Sequence, residues 1–110
     1  MNKLDKARQA INLCDENISR YFEQRMHAVE DVIAFKMENN LPIFDSSREK
    51  EVIEKNLANI TDEALKPYFE DMLIQLMRIS KEYQKAIVQT AEKRTYNCKN
   101  NTTVCDGEVK

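Results

Sequence analysis

The amino-acid sequence predicts an all-α fold with three helices per chain, in the order long, short and long. The 110 residues include only one Gly and two Pro. Such a scarcity of chain-breaking residues is typical of long helices and not of a sheet protein with many turns. Apolar residues also recur at intervals of three and four, which is the spacing of helices that bury one face.

The first helix is predicted over residues 3–39. The Asn39-Asn40 pair and then Pro42 end it, because Asn is common just past a helix end and Pro cannot continue a helix. Cys14 falls on the apolar face and is interpreted as a small core residue. This face consists of Leu4, Ala7, Ile11, Cys14, Ile18, Tyr21, Phe22, Val29, Val32, Ile33 and Phe35.

The length of the first helix predicts a homodimer. At 1.5 Å per residue, about 37 residues span ~55 Å. A compact monomer of this size should have a radius of gyration near ~13 Å, so the helix would extend beyond any globule that the rest of one chain could form. A second copy is the simplest source of cover for its apolar face.

The second helix is short and is predicted over residues 46–58. Ser46 followed by Glu49 has the form of a capping box, in which each side chain accepts a hydrogen bond from the backbone N–H of the other residue. The helix therefore begins directly after a turn that contains Asp45.

The third helix is predicted to begin near Thr61-Asp62-Glu63, and its apolar spacing continues from Leu65 to Val88. Pro67 either distorts the first turn or marks a second starting point, and the sequence leaves both possibilities open. The apolar pattern stops after Ala91.

The chain is long enough for one domain with a modest core. We assign residues 1–96 to this domain and interpret residues 97–110 as a polar, mobile C-terminal tail. The tail carries Cys98 and Cys105, whose pairing would require oxidising conditions.

Charge and composition exclude several classes of protein. The 17 basic and 19 acidic residues are mixed along the chain and give a net charge of −2, so neither nucleic acid nor an anionic membrane is expected as a partner. No apolar run reaches the ~20 residues of a membrane span. The charged N-terminus does not resemble a signal peptide, so a cytoplasmic location is expected. Three cysteines and one histidine without metal-ligand spacing predict no metal site.

Three cations, Arg8, Arg25 and Lys36, interrupt or border the apolar face of the first helix. Arg25 stands where a seven-residue interval predicts an aliphatic residue, and Lys36 lies within about 20° of it around the helix. Each cation alone is explained as a long side chain that lays its stem on apolar surface and extends its charge to water.

Polar residues interrupt the two other helices as well. Arg48 and Glu49 open the second helix, and Ser80 and Gln84 lie four residues apart on the third. Each alone is typical of a solvated surface, but together with the cations they predict a polar pocket inside a helical bundle. Its excess of cations suits a small dianion. No nucleophile–base pair, glycine-rich phosphate loop or cofactor site is predicted, so the reaction would need only positioning and charge stabilisation.

In this order, these residues resemble the all-helical chorismate mutases, in particular the bacterial monofunctional enzymes. The resemblance covers roughly residues 3–92 and implies an entwined helical homodimer. It also implies the rearrangement of chorismate to prephenate in phenylalanine and tyrosine biosynthesis, without a cofactor. The pattern that carries the resemblance consists of Arg8, Arg25, Lys36, Asp45-x-x-Arg48-Glu49 and Ser80-x-x-x-Gln84.

The resemblance implies that three arginines bind the two substrate carboxylates. Arg25 and Arg48 would act within their own chain, Arg8 would reach into the partner's site, and Ser80 would complete the substrate-binding residues. The geometry of the first helix agrees with a shared site, because Arg8 and Arg25 lie ~25 Å apart along it and about 100° apart around it.

The resemblance further implies that Lys36 and Gln84 contact the ether oxygen of chorismate and stabilise the negative charge that grows there. Asp45 and Glu49 would serve the region of the ring hydroxyl, Asp45 as a substrate-binding residue. Lys36, Gln84 and Glu49 are therefore the predicted catalytic residues.

Three alternatives stay open. An isochorismate pyruvate-lyase has the same scaffold, but such relatives lack the complete Asp-x-x-Arg-Glu segment that is present here. An enzyme acting on an amino analogue of chorismate is not distinguished by the sequence. A non-catalytic helical interaction module would explain the amphipathic helices, but it gives no reason for Arg25, Lys36 and Gln84 to stand on apolar faces.

Overall fold

The computed structural model of the chain describes residues 2–100, with side chains as far as Glu92. It contains a long helix α1 (Lys3–Glu38), a short helix α2 (Ser46–Leu57), a single 3₁₀ turn (Glu63–Leu65) and a long helix α3 (Lys66–Asn100). The described residues form no strand, which confirms the all-α class and the order long, short, long. Within this part of the chain, no helix combines the length and the hydropathy needed to cross a membrane.

Two backbone hydrogen bonds close the turn that ends α1, at the predicted place. The N–H of Asn40 donates to the carbonyl of Met37 (3.4 Å), and the N–H of Leu41 donates to the carbonyl of Lys36 (2.9 Å). Asn40 has a left-handed backbone with φ of 55°, which Asn adopts more readily than most residues. The Asn-Asn pair therefore ends the helix within one residue of the predicted boundary.

α2 also begins at Ser46, but the residue that caps it is Asp45. The Asp45 carboxylate accepts hydrogen bonds from the backbone N–H groups of Ser47 (3.1 Å) and Arg48 (3.2 Å). These N–H groups have no acceptor within the helix, and the helix dipole favours a negative charge at this end. The prediction that Ser46 and Glu49 form the capping box is therefore wrong, and the cap lies one residue earlier.

A separate 3₁₀ turn precedes α3. Of the two possibilities left open for Pro67, the structure therefore shows a second helix start and not a distorted first turn. The Asp62 carboxylate accepts a hydrogen bond from the Ala64 N–H (3.1 Å) and caps the 3₁₀ turn. α3 follows directly at Lys66, with Pro67 in its first turn. Residues at that position have no intrahelical acceptor for an N–H, so Pro67 marks a second start without loss of a hydrogen bond.

The backbone of α3 continues to Asn100, beyond Ala91, where the apolar pattern stops. The helix therefore enters the segment predicted as a tail. Residues 101–110, with Cys105, and the side chain of Cys98 lie outside the described part of the chain. The domain boundary at residue 96 stays a prediction.

One chain buries few residues by itself. α3 packs against both α1 and α2, and the buried hydrophobic residues of the described part are Met26, Ile33 and Leu73. Every residue from 2 to 24 is exposed, because none of the residues that the structure describes covers the first half of α1. Cys14 is exposed with them, so the prediction that it is a core residue is wrong for the single chain.

The chain is elongated, with extents of 65 × 35 × 16 Å and a radius of gyration of 19.6 Å. A compact chain of this length would have a radius near ~13 Å. A large apolar surface therefore stays uncovered, which is unusual for a soluble monomer. Exposed large side chains along α1 and α3 include Leu4, Ile11, Leu13, Ile18, Tyr21, Phe22, Tyr68, Met72, Ile74 and Ile79.

Candidate active site

The three helices and the segment between α1 and α2 enclose a cavity of about 140 Å³. This volume is below the ~300–1,000 Å³ of drug-sized ligand sites, so the cavity suits a small metabolite. Seven of the eight residues predicted for the site line this cavity, namely Arg25, Lys36, Asp45, Arg48, Glu49, Ser80 and Gln84. The other lining residues are Val29, Val32, Ile43, Phe44, Val52, Met77 and Lys81.

Arg25 is held at the cavity wall by α3. Its Nη1 donates to Ser80 Oγ at 2.5 Å, and its Nη2 lies 3.9 Å from Met77 Sδ. Ser80 is buried, and its hydroxyl also lies 3.9 Å from Met26 Sδ. Partial burial lowers the pKa of the Arg25 guanidinium, which nevertheless stays protonated because an Arg side chain does not lose its proton in proteins. A fixed, permanently charged guanidinium is well suited to a carboxylate.

Lys36 is held by the segment that follows α1. Its Nζ donates to the backbone carbonyl of Ile43 at 3.1 Å. The left-handed turn at Asn40 brings the chain back over the end of α1, which places this carbonyl beside the ammonium. An ammonium has three N–H donors, so this bond fixes the position of Lys36 and leaves two donors for a ligand.

Asp45 uses one carboxylate oxygen to cap α2. Its Oδ1 accepts hydrogen bonds from the Ser47 hydroxyl (2.7 Å) and from the N–H groups of Ser47 and Arg48. The hydrogen bond from the Ser47 side chain, then that from the Arg48 backbone, lowers the pKa of Asp45 below its ordinary value. The group is therefore ionised at neutral pH, and Oδ2 is available to a ligand.

Substitution of Asp45 by Asn tests this cap. Because folding lowers the carboxyl pKa, ionised Asp45 stabilises the fold above an ordinary Asp pKa of about 3.9, and this contribution disappears as the pH falls through the lower folded value. Asn also caps helices but does not titrate. We expect Asp45→Asn to lower the thermal midpoint slightly at neutral pH, with the gap closing as acid protonates the folded carboxyl. Melting curves measured from neutral to acidic pH test this, and a gap independent of pH would contradict it.

The two charged residues that open α2 have different surroundings. Arg48 is exposed, and its Nη1 lies 3.4 Å from Glu51 Oε1 in a surface pair that contributes little to stability. The Glu49 side chain is only 27% exposed, and its Oε1 lies 2.8 Å from Lys81 Nζ on α3. Arg48 can therefore turn toward a ligand, whereas Glu49 is fixed between α2 and α3.

Gln84 lies one turn after Ser80 on the same face of α3, partly buried in the cavity wall. Its amide makes no hydrogen bond to the part of the chain that the structure describes. Both its donor and its acceptor are therefore available to a ligand, and an amide does not change its charge with pH.

The cavity wall is cationic. Ser80 accepts a hydrogen bond from Arg25, and no base among the described residues accepts a hydrogen bond from its hydroxyl, so the geometry does not support covalent catalysis by Ser80. An excess of positive charge in a partly buried cavity instead favours binding of a small dianion and stabilisation of negative charge. The wall contains four basic and two acidic side chains, namely Arg25, Lys36, Arg48 and Lys81 against Asp45 and Glu49.

The sequence matches the family model of chorismate mutase type II over residues 7–85, which is more than half of the chain. The chain belongs to the chorismate mutase type II family. It is therefore an enzyme of the isomerase class, and membership of this family supports the conversion of chorismate to prephenate. No curated protein and no solved structure matches the chain at a significant level.

One residue predicted for the site lies outside the cavity. Arg8 is exposed near the start of α1, within the part of the chain that matches the family. It precedes Arg25 by 17 residues, so ~25 Å of helix separates the two. Arg8 therefore does not contribute to the cavity of its own chain.

Two groups in the wall of this cavity, Lys81 and the Ile43 carbonyl, were not predicted from the sequence. Lys81 precedes Gln84 by three residues, and this spacing on one helix face could have revealed it. The position of the Ile43 carbonyl depends on the loop conformation, for which the sequence carried no specific signal.

Proposed function

We propose that this cavity rearranges chorismate to prephenate by an intramolecular [3,3] shift, as a cytoplasmic step of phenylalanine and tyrosine biosynthesis. The observation that carries this proposal is the convergence of Arg25, Lys36 and Gln84 on one small cationic cavity. Chorismate is a dianion, and its rearrangement is intramolecular, so the protein needs to supply only positioning and charge stabilisation. Residues 1–96 would form the functional domain, with residues 97–110 as a tail outside the site.

The first task of the site is to hold the two carboxylates. Arg25 is positioned for one of them by its bond to Ser80, which supports a substrate-binding role for both residues. Arg48 would leave its exposed ion pair with Glu51 to bind a carboxylate. Breaking this pair costs little free energy because both side chains are exposed. Fixing both carboxylates holds the flexible side chain of the substrate over the ring in a reactive conformation.

The second task is to stabilise the breaking ether bond. Negative charge grows on the ether oxygen as this bond lengthens, and Lys36 and Gln84 would donate hydrogen bonds to it. Lys36 is already held by the Ile43 carbonyl, so little reorganisation is needed during the reaction. Donors aimed at a charge that develops only in the transition state accelerate the chemical step instead of merely tightening binding.

Asp45 and Glu49 would bind the region of the ring hydroxyl. Asp45 caps α2 through Oδ1, so Oδ2 could accept a hydrogen bond from the substrate. Glu49 is fixed by Lys81 and lines the same cavity. These contacts would orient the ring while the arginines hold the carboxylates.

A second chain would complete the site. The exposed first half of α1 and the elongated shape support an entwined homodimer. Two apolar grooves along α1 and α3, of about 850 and 390 Å³, share Ile18, Phe22 and Ile79 and offer the surface that the partner would cover. In an antiparallel arrangement of the two α1 helices, Arg8 of each chain would reach the other chain's cavity.

The activity is expected to change little with pH above neutrality. Gln84 donates its hydrogen bond at any pH, whereas a Glu at this position would donate only while protonated. Initial rates of chorismate loss between about pH 6 and about pH 8.5 should therefore stay within roughly a factor of three. A collapse of kcat above pH 7 would contradict the role given to Gln84.

The proposal is tested by adding the purified chain to chorismate and, separately, to isochorismate. We expect chorismate absorbance to fall and prephenate to appear. Pyruvate released from isochorismate, without turnover of chorismate, would mean that the cavity serves the lyase reaction. Absence of both reactions, together with no binding of a bicyclic dianion that mimics the transition state, would favour a non-catalytic interaction module.

A further inference from the structure

We propose that Lys81 determines specificity, by selecting a substrate with a ring hydroxyl over one with a ring ammonium at the position that Glu49 contacts. This inference rests on the proposed function, which assigns Glu49 to the ring hydroxyl. Lys81 is not part of the residue pattern from which the site was predicted, although it lines the same cavity.

The geometry places the Lys81 ammonium beside the group that would bind the hydroxyl. Its Nζ lies 2.8 Å from Glu49 Oε1, across the contact between α3 and α2. The two side chains are 42% and 27% exposed, so the pair lies at the cavity wall and not in bulk solvent. Lys81 follows the buried Ser80 and precedes Gln84 by three residues, which ties it to the face of α3 that forms the site.

The pair of Lys81 and Glu49 suits a hydroxyl because a hydroxyl both donates and accepts hydrogen bonds. The hydroxyl can donate a hydrogen bond to the Glu49 carboxylate while its oxygen accepts one from the Lys81 ammonium. An ammonium on the ring can only donate, and it would meet the like charge of Lys81. Without Lys81, the unopposed carboxylate of Glu49 would attract a ring ammonium, so Lys81 supplies the repulsion on which the selection depends.

A purely structural role of the pair makes a different prediction. If Lys81 only ties α3 to α2 through Glu49, its loss should lower the thermal midpoint and change the turnover of hydroxyl and amino substrates by the same factor. Selection by charge instead requires the ratio of the two turnovers to change.

The test compares Lys81→Met with Lys85→Met. Lys85 is the matched control, because it lies on the same helix, pairs with the exposed Glu82 at 3.6 Å and does not line the cavity. For each protein, kcat/KM is measured with chorismate and with the analogue in which an amino group replaces the ring hydroxyl. We expect Lys81→Met to reduce the preference for chorismate about tenfold, and Lys85→Met to leave it unchanged. Lys81→Arg, which keeps the charge, should retain most of the preference.

A binding measurement separates this inference from the proposed function. Calorimetry with a bicyclic dianion, in its hydroxyl form and with an amino group in place of the ring hydroxyl, should show that the parent chain favours the hydroxyl form and that Lys81→Met loses most of this preference. If the dianions bind but no substrate turns over, the proposed function fails. The role of Lys81 is still tested in that case, by the difference in binding preference between the parent chain and Lys81→Met. An unchanged preference in Lys81→Met, or no binding of either dianion to the parent chain, would overturn the inference.

Discussion

Substitution of Lys36 by Ala is expected to lower kcat/KM for chorismate by about a hundredfold or more, which corresponds to ~2.7–4 kcal/mol of transition-state stabilisation. The Lys36 ammonium is fixed by the Ile43 carbonyl and lines the cavity, so its charge would act on the ether oxygen as negative charge develops there. Because this charge is largest in the transition state, we expect the loss to fall mainly on kcat and less on KM.

The control for this experiment is Lys50→Ala. Lys50 is exposed on α2 and does not line the cavity, so its substitution removes a positive charge from the same region without touching the site. Steady-state kinetics with chorismate, accompanied by thermal melts, measure both variants. If Lys36→Ala were no more impaired than Lys50→Ala while both remained folded, Lys36 would have no role at the ether oxygen.

Arg8→Ala and Gln84→Ala are each expected to be almost inactive, while a refolded mixture of the two should regain up to about a quarter of the parent activity. In a mixed dimer, the chain with intact Gln84 would receive intact Arg8 from its partner, so one of two sites is complete. Half of the dimers are mixed when the chains combine at random, and this gives the expected maximum.

The same mixing experiment contains its own control. A mixture of Arg25→Ala and Gln84→Ala should regain nothing, because both residues line the cavity of one chain and no mixed dimer would contain a complete site. Recovery is measured from the rate of chorismate loss after joint refolding. An Arg8→Ala and Gln84→Ala mixture that shows only the average of the two variants would contradict a site shared between chains.

Much of the fold could be predicted because the determinants of the helices are local. Apolar spacing predicted the approximate extent of α1, and the capping pattern at Ser46 predicted where α2 begins. The Asn39-Asn40 pair predicted the end of α1 because the left-handed turn there depends on local residues. The length of α1 also indicated that one chain could not cover it. The described structure agrees, since residues 2–24 are all exposed.

The errors have physical causes that a single sequence does not contain. Asp45 and Ser46 are both good helix caps, and the choice between them depends on which residue adopts the extended backbone before the first turn. Cys14 stands on an apolar face, but an apolar pattern does not say whether the same chain or another chain covers it. The end of α3 was left open by the apolar pattern, which stops after Ala91, because a helix needs no apolar residues to continue once its backbone hydrogen bonds have formed.

The candidate site was predictable to the extent that its residues stand on helices. Seven of the eight predicted residues line one cavity, since their helical spacing restricts where their side chains point. Lys81 was missed because a Lys on a helix is normally a solvated residue. Its spacing from Gln84 places it on the same face, and the approach of Glu49 from α2 then distinguishes it from a solvated Lys. That approach depends on how α2 packs against α3.

The most direct test of the account is a crystal structure of the chain with a bicyclic dianion that mimics the transition state. We predict that the dianion occupies the cavity, with its carboxylates on Arg25 and Arg48 and its ether oxygen within hydrogen-bond distance of Lys36 and Gln84. Arg8 of a second chain should contact one carboxylate. A dianion bound elsewhere, or bound in this cavity without contact to Lys36 and Gln84, would contradict the assignment of this cavity as the active site.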